Sequence, residues 1–254
     1  MLAHPLLPKL KELRLSGMVD TLDERAQMAQ LQNLTPVDFL ALLLDDEIDR
    51  RQQRKHDRLE RRAGFDGPKL LSQFDFAAVP CLDRTLVIDM ATCQFVEKKQ
   101  NWLLCGPTGV GKSHLATAIG YEAIKRDMTV LSMSASSMLQ DLFLAHADGG
   151  HAKLMAKIAR CDLLIIDDFG LRPITEQGAD DLYEIIHSRY ERGSMIITSN
   201  RSPAEWPELF GNALLASAAL DRLTHHARIT IVTGESYRQR QRRKDPREPG
   251  IDGT

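Results

Sequence analysis

Leu6, Leu10 and Leu13, then Met18 and Leu22, recur at roughly three- to four-residue spacing and predict an amphipathic first helix. Thr35-Pro36 reads as an N-cap followed by proline at the first helical position. The helix it opens carries Val37, Leu40, Leu43, Leu44 and Ile48 as one apolar stripe. Beyond Ile48 the apolar positions stop while helix formers continue to Arg62, so the second half of a helix over 36–62, roughly 40 Å long, has little to pack. Gly64 and Asp66-Gly67-Pro68 end it. A linker follows over 69–78, with Phe74 and Phe76 as candidate anchors, and then a helix over 82–98. From there short apolar runs alternate with helical periodicity: strands at 102–105, 129–133, 163–167, 195–199 and 228–232, and helices at 112–125, 137–145, 151–160, 177–191 and 213–223. That alternation predicts an α/β fold, a parallel sheet sandwiched by helices and preceded by a small all-α N-terminal domain. The domains expected are 1–68, 69–235 and a basic tail over 236–254.

The 254 residues suffice for one sizeable domain and a smaller one, and a hydrophobic share of 43% excludes a chain that is mostly disordered. A net charge of −2 says little about partners until its distribution is considered. Cys81, Cys93, Cys105 and Cys161 are scattered, with no C-x-x-C pair and no histidines at metal spacing. They read as core residues rather than a disulfide frame or zinc site. No stretch approaches the length of an apolar membrane span, and the first residues lack a signal-like apolar region. The expectation is a cytoplasmic protein with no membrane contact.

The chemistry enters at Gly106-Pro107-Thr108-Gly109-Val110-Gly111-Lys112-Ser113, which fits G-x-x-x-x-G-K-S/T in full, followed by His114. A short apolar strand precedes it and a helix follows, as phosphate binding requires. Glycines let backbone N–H groups turn inward around a phosphate, and the helix N-terminus adds its positive end. Lys112 is placed to reach the β- and γ-phosphates of ATP, and Ser113 to ligate Mg2+. Downstream, Leu163-Leu164-Ile165-Ile166-Asp167-Asp168 reads as a buried strand with two carboxylates at its C-terminal tip, where parallel-sheet sites lie. Asp167 is the expected metal partner, and Asp168 the group that orients and deprotonates water. Asn200 ends another buried strand and is either a phosphate or water contact or an ordinary turn residue. Arg222, near the end of a mostly apolar helix, reads on its own better as a surface ion-pair residue.

Together with Gly106–Ser113, the segments Ile166-Asp167-Asp168-Phe169-Gly170, Ile197-Thr198-Ser199-Asn200, Leu220-Asp221-Arg222-Leu223 and Gly234-Glu235-Ser236-Tyr237-Arg238 resemble the IstB-like ATP-binding proteins. These are helper ATPases encoded beside the transposase in certain bacterial insertion sequences, relatives of DnaC-type helicase loaders. The resemblance runs from about Leu6 to Arg243. It implies an AAA+ fold and an oligomeric ATPase that hydrolyses ATP with Mg2+. It also implies Asp167 as the Walker B residue, Asp168 as the catalytic carboxylate, Asn200 as sensor 1 and Arg222 as an arginine finger entering the site of the next subunit. Such head-to-tail contacts generate rings or helical filaments.

Between positions 50 and 62, Arg50, Arg51, Arg54, Lys55, Arg58, Arg61 and Arg62 face only Asp57 and Glu60. The three- and four-residue spacings gather most of that charge along one side of a helix, a stripe suited to duplex phosphates or, more blandly, a solvated face. No aromatic residue interleaves with it, which disfavours single-strand stacking. A second basic cluster, Arg238 to Lys244, lies in the tail. The function expected is an ATP-dependent, DNA-binding ATPase that assists a transposase in target selection, with loading of a replicative helicase as the alternative. The absence of cysteine before Cys81 disfavours a loader of the zinc-bearing DnaI variety. A small-molecule kinase is disfavoured because the two-carboxylate strand end suits water activation better.

Overall fold

In the computed structural model, residues 5–234, 236 and 237 are described. The tail cluster Arg238 to Lys244, and Glu235 and Arg238 of the Gly-Glu-Ser-Tyr-Arg segment, lie outside them. The chain divides into two compact units, Met1–Leu59 and Glu60–Thr254. The boundaries 1–68, 69–235 and 236–254 remain a proposal about domains.

The first unit is helical. The expected first helix is two, α1 (Leu6–Glu12) and α2 (Ser16–Gln32), because Arg14 takes a left-handed conformation (φ +57°) between them. α3 runs from Pro36 to Ala63, capped by the Thr35 hydroxyl, which accepts from the Asp38 N–H. The apolar stripe expected on α3 does not form its contact face. Leu43 is buried, but Val37, Leu40, Leu44 and Ile48 are exposed. The reason is Gly17. A Cβ there would stand 2.6 Å from the Asp46 carbonyl oxygen, so only glycine lets α2 approach α3 this closely. That approach selects the face of α3 bearing Leu43, Asp46 and Glu47. Glu47, 4% exposed, accepts from the Gly17 N–H, and Arg25 forms a two-pronged ion pair with Asp46. Met18, Leu22 and Leu43 fill the small core. The far end of α3, which continues past Leu59 into the second unit, is less bare than its sequence suggests, since Leu59 and Ala63 are buried.

The second unit carries the sheet. The helix expected over 82–98 is two pieces, α4 (Arg84–Ala91) and α5 (Gln94–Glu97), divided at Cys93, whose φ of +61° breaks the helix. Then follow β1 (Asn101–Cys105), α6 (Lys112–Lys125), β2 (Val130–Ser134), α7 (Ala135–Asp148), α8 (His151–Arg160), β3 (Leu163–Phe169), α9 (Glu176–Arg189), β4 (Ser194–Ser199), α10 (Ala213–His225) and β5 (Ala227–Ile231). The strands are parallel, in the order β2-β3-β4-β1-β5. A 3-10 helix over Pro203–Leu209 was not legible from periodicity. This is an α/β fold with helices packed on a parallel sheet, as expected. β1, β3 and β4 are buried on both faces up to their C-terminal tips, so backbone pairing and the apolar core leave only those tips for polar chemistry.

The opposite end of the sheet is pinned by Arg189, fully buried, whose guanidinium donates to the carbonyls of Ile158, Cys161 and Ser194 at 2.6–2.9 Å. Burial pushes its pKa down. Its contacts fix the N-terminal starts of β3 and β4, the two strands whose far ends carry Asp167, Asp168 and Asn200. Cys93, Cys105 and Cys161 are buried as expected, whereas Cys81 is exposed, its thiol donating to the Thr233 carbonyl. Among the described residues no helix is long and apolar enough to cross a membrane.

Candidate functional site

β1 delivers the chain to Gly106, and three left-handed glycines shape the loop between β1 and α6: Gly106 (φ +143°), Gly109 (φ +87°) and Gly111 (φ +93°), the last capping α6. None can be replaced without collision. A Cβ on Gly106 would strike the Val232 carbonyl oxygen, one on Gly109 the Ser236 hydroxyl, and one on Gly111 the Phe74 ring. Lys112 opens α6 and is 5% exposed, yet its ammonium is fully partnered. It donates to the Gly106 carbonyl at 2.7 Å, the Pro107 carbonyl at 2.8 Å and Asn200 Oδ1 at 2.8 Å. Burial pushes the Lys112 pKa down, opposed by the attraction of Asp168 and Asp167.

The tips of β3 and β4 meet this loop. Ser113 Oγ donates to Asp167 Oδ1 at 2.8 Å, and the Thr198 hydroxyl donates to the same oxygen. Thr198 Oγ1 also accepts from the Asp168 N–H at 3.0 Å. Thr198 belongs to no catalytic motif of the sequence. Its only signal is a hydroxyl inside an otherwise apolar strand core, where a polar atom needs a partner.

A β-bulge separates the two acids. β3 and β4 pair Ile166 with Ile197 but Phe169 with Ser199, so one extra residue sits on β3 at this point. Asp168 takes it up with φ +55°, a conformation aspartate tolerates better than most residues. Asp167 therefore turns toward Ser113, while Asp168 lines an open cleft with Lys112, Ser113 and Asn200.

That cleft, of about 430 Å³, is lined by Thr108, Gly109, Val110, Gly111 and His114. It is also lined by the segment expected to be a linker, at Lys69, Gln73, Phe74, Asp75, Ala78 and Val79, and by Tyr237. His114 reaches the Leu70 carbonyl through Nε2 at 2.9 Å, and its ring meets Phe74 edge-on at 5.5 Å. Tyr237 is held by its N–H, which donates to the Gly109 carbonyl at 3.0 Å. The cleft thus combines the cationic Lys112 and the backbone of the glycine loop with the aromatic and aliphatic side chains of Phe74, Ala78 and Val79.

Arg222 is not brought into this cleft. It is half-buried on α10, where its guanidinium donates to the Ala218 carbonyl at 2.8 Å and lies 5.6 Å from the Tyr183 ring centre. Of the basic positions on α3, Arg50 pairs with Asp20 at 2.8 Å and Arg51 with Glu47 at 2.7 Å. Lys55 is half-buried, and Arg54, Arg58, Arg61 and Arg62 are exposed. The stripe is therefore shorter than its sequence suggests, beginning effectively at Arg54.

A family model described as IstB-like ATP binding protein matches residues 8–245. An insertion sequence ATP-binding protein of Sinorhizobium fredii is 38% identical over 244 residues, covering 96% of this chain and all of the relative. An ATP-binding protein in an insertion sequence of Mycobacterium tuberculosis is likewise 38% identical, covering 92% and 93% of the two chains. Among solved structures, that of DnaI superposes with a TM-score of 0.56 at 24% identity, over 65% of this chain and 90% of DnaI, a likeness of fold.

Proposed function

The chain belongs to the IstB-like ATP-binding proteins and is an ATPase, and on that premise we propose that it assembles on duplex DNA and assists the transposase of an insertion sequence in selecting its target. The observation that carries the reading is the junction of α6 with the tips of β3 and β4, where Lys112, Ser113, Asp168 and Asn200 line one cleft and Asp167 is bonded to Ser113. The site of action is the cytoplasm, where ATP and DNA are both at hand.

The triphosphate lies along the glycine loop, its β-phosphate against the N–H groups of Gly109 to Ser113 and the positive end of α6. Lys112 then exchanges carbonyl acceptors for phosphate oxygens, a trade the cleft favours because its ammonium is already desolvated. The hard oxygens Ser113 Oγ and Asp167 Oδ1, 2.8 Å apart, suit Mg2+. When held by these two residues, Mg2+ would supply positive charge to offset that of the triphosphate. Asp168, aimed into the cleft by the bulge, holds a water for attack on the γ-phosphorus. As the new P–O bond forms, the bond to the β–γ bridging oxygen breaks, the water's proton passes to Asp168, and ADP and phosphate leave. Asn200 holds both Lys112 and the γ-phosphate end in register. The adenine stacks against Phe74 between Ala78 and Val79. Phe74→Ala is expected to weaken ATP binding about tenfold while leaving the affinity for inorganic tripolyphosphate unchanged. Titration with both ligands checks this, and equal losses for the two would remove the base from Phe74.

Duplex contact falls to the exposed run Arg54, Arg58, Arg61 and Arg62. Backbone charge neutralisation of this kind makes affinity fall steeply with salt and reads little sequence. Fluorescence anisotropy of a duplex oligonucleotide, with and without ATP over a salt series, tests the function as a whole. Combining Arg54→Glu with Arg58→Glu is expected to lower duplex affinity and to flatten the logarithmic salt slope by about 2, with ATP affinity intact. Unchanged DNA affinity would remove α3 from the interface. A stable complex with a hexameric helicase in the absence of duplex binding would move the reading to helicase loading.

A further inference from the structure

On the side of the sheet unit formed by α7, α8 and α9, three metal-capable side chains converge. Their sequence spacing hides them, since His146 and His151 are five residues apart across a helix break and their partner, Asp181, comes from α9. Asp181 is 3% exposed, and its Oδ1 stands 3.0 Å from both His146 Nε2 and His151 Nε2. Its Oδ2 is 3.2 Å from the same His146 nitrogen. The two imidazole rings stack with centres 3.8 Å apart and planes inclined by 21°, so both direct Nε2 toward one carboxylate. All the donor atoms lie within 4.8 Å of one another. Neither the ATP cleft nor the basic stripe uses any of these residues.

We propose that His146, His151 and Asp181 form a binding site for a divalent transition metal, with Zn2+ the best fit. Zinc takes imidazole nitrogen at about 2.0–2.1 Å and carboxylate oxygen at about 2.0–2.2 Å, which in a tetrahedron separates neighbouring donors by about 3.3 Å. The nitrogen–oxygen distances here are within a few tenths of an ångström of that, so small side-chain shifts admit the ion. Two imidazoles and one carboxylate suit zinc and exclude the all-oxygen preference of magnesium and calcium. His146 Nε2 also meets the Gln177 amide nitrogen at 3.3 Å. A single ring nitrogen cannot both donate to Asp181 and accept from Gln177. With a metal at the centre and the amide turned over, Gln177 supplies an oxygen to the open fourth position or to the water that fills it. His146 is exposed and His151 half-buried, so the ion has a path in.

Such an ion ties three helices. α7 and α8 are joined only through Gly149 and Gly150, and Gly149 is left-handed (φ +76°), with open space where a side chain would stand. The metal locks this hairpin onto α9. A second cluster, Glu191, His225 and His226, is exposed throughout, and its His226–Glu191 distance is 3.7 Å. Lacking a buried ligand, it serves as the control.

The test is Zn2+ titration of the metal-free full chain in competition with a chromogenic chelator, together with thermal melting with and without one equivalent of Zn2+. One equivalent should bind and raise the melting temperature. His146→Gln and His151→Gln should each lower affinity at least about 100-fold, beyond what loss of an outer-shell partner does, and abolish the thermal shift. His226→Gln should change neither. No stoichiometric binding, or binding undiminished in both His146→Gln and His151→Gln, overturns the proposal. Circular dichroism of the metal-free variants separates lost ligation from lost folding.

Discussion

Lys112→Ala is expected to lower ATP affinity at least about 100-fold, the scale of removing one partner from a buried, charge-assisted contact. The ammonium is a desolvated positive charge at the phosphate loop, 5% exposed and within 2.8 Å of three acceptors. Loss of binding has to be separated from loss of folding, and the energetics of the site allow it. Burial depresses the Lys112 pKa, so the native state holds this proton less tightly than the unfolded chain does. Its contribution is therefore a cost at neutral pH, lessening only as pH rises from the folded pKa toward the unfolded value. Truncation removes that cost, while the Gly106 and Pro107 carbonyls and Asn200 Oδ1 lose a donor that water entering the open cleft replaces in part. The two effects oppose each other, so the melting temperature should move far less than the affinity. Isothermal titration with a non-hydrolysable ATP analogue, beside a thermal melt, reads both. Full affinity in a folded Lys112→Ala protein would refute the assignment of the phosphate site.

The range of the interactions involved decides how much of this is legible in the sequence. The phosphate loop is local: strand, glycines, Lys112 and helix are consecutive, so their geometry is written in a handful of neighbouring residues. The buried strands are equally plain, because a strand covered on both faces must be continuously apolar. The features that escape depend on tertiary contact. The segment Phe74 to Val79, which lines the cleft, carries no motif and becomes part of the site only because Gly111 leaves room for the Phe74 ring. Thr198 acquires its role from Asp167 on the adjacent strand. The bulge that aims Asp168 is a register shift between β3 and β4, invisible to periodicity within either strand. In the helical unit the apolar stripe of α3 is a real pattern but not the contact face. A single glycine, Gly17, directs α2 to a different side of that helix. The left-handed Arg14 and Cys93, neither a glycine nor a proline, end helices without any compositional sign.

Arg222 does not line the cleft of its own chain and donates instead to the Ala218 carbonyl. If Arg222 acts in the site of a neighbouring copy, Arg222→Ala is expected to reduce ATP turnover about 1000-fold, the lower range for an arginine finger, with ATP affinity little changed. A merely structural Arg222, bonded to Ala218 and lying over Tyr183, would instead affect melting temperature and leave turnover per folded molecule nearly intact. Mixing separates the two further. Lys112→Ala chains have an intact finger but cannot hold ATP; Arg222→Ala chains hold ATP but lack the finger. Each mixture therefore contains junctions in which a Lys112→Ala subunit presents Arg222 to a competent site on an Arg222→Ala subunit. Turnover should reappear on mixing two inactive proteins, rise with total concentration as assembly proceeds, and vanish on dilution. A mixture as inactive as its components, under conditions where the wild-type chain turns over ATP, would mean that Arg222 does not act across a subunit boundary. Hydrolysis would then be completed by groups within one chain, and of the residues expected to act in it Lys112, Asp168 and Asn200 line the cleft.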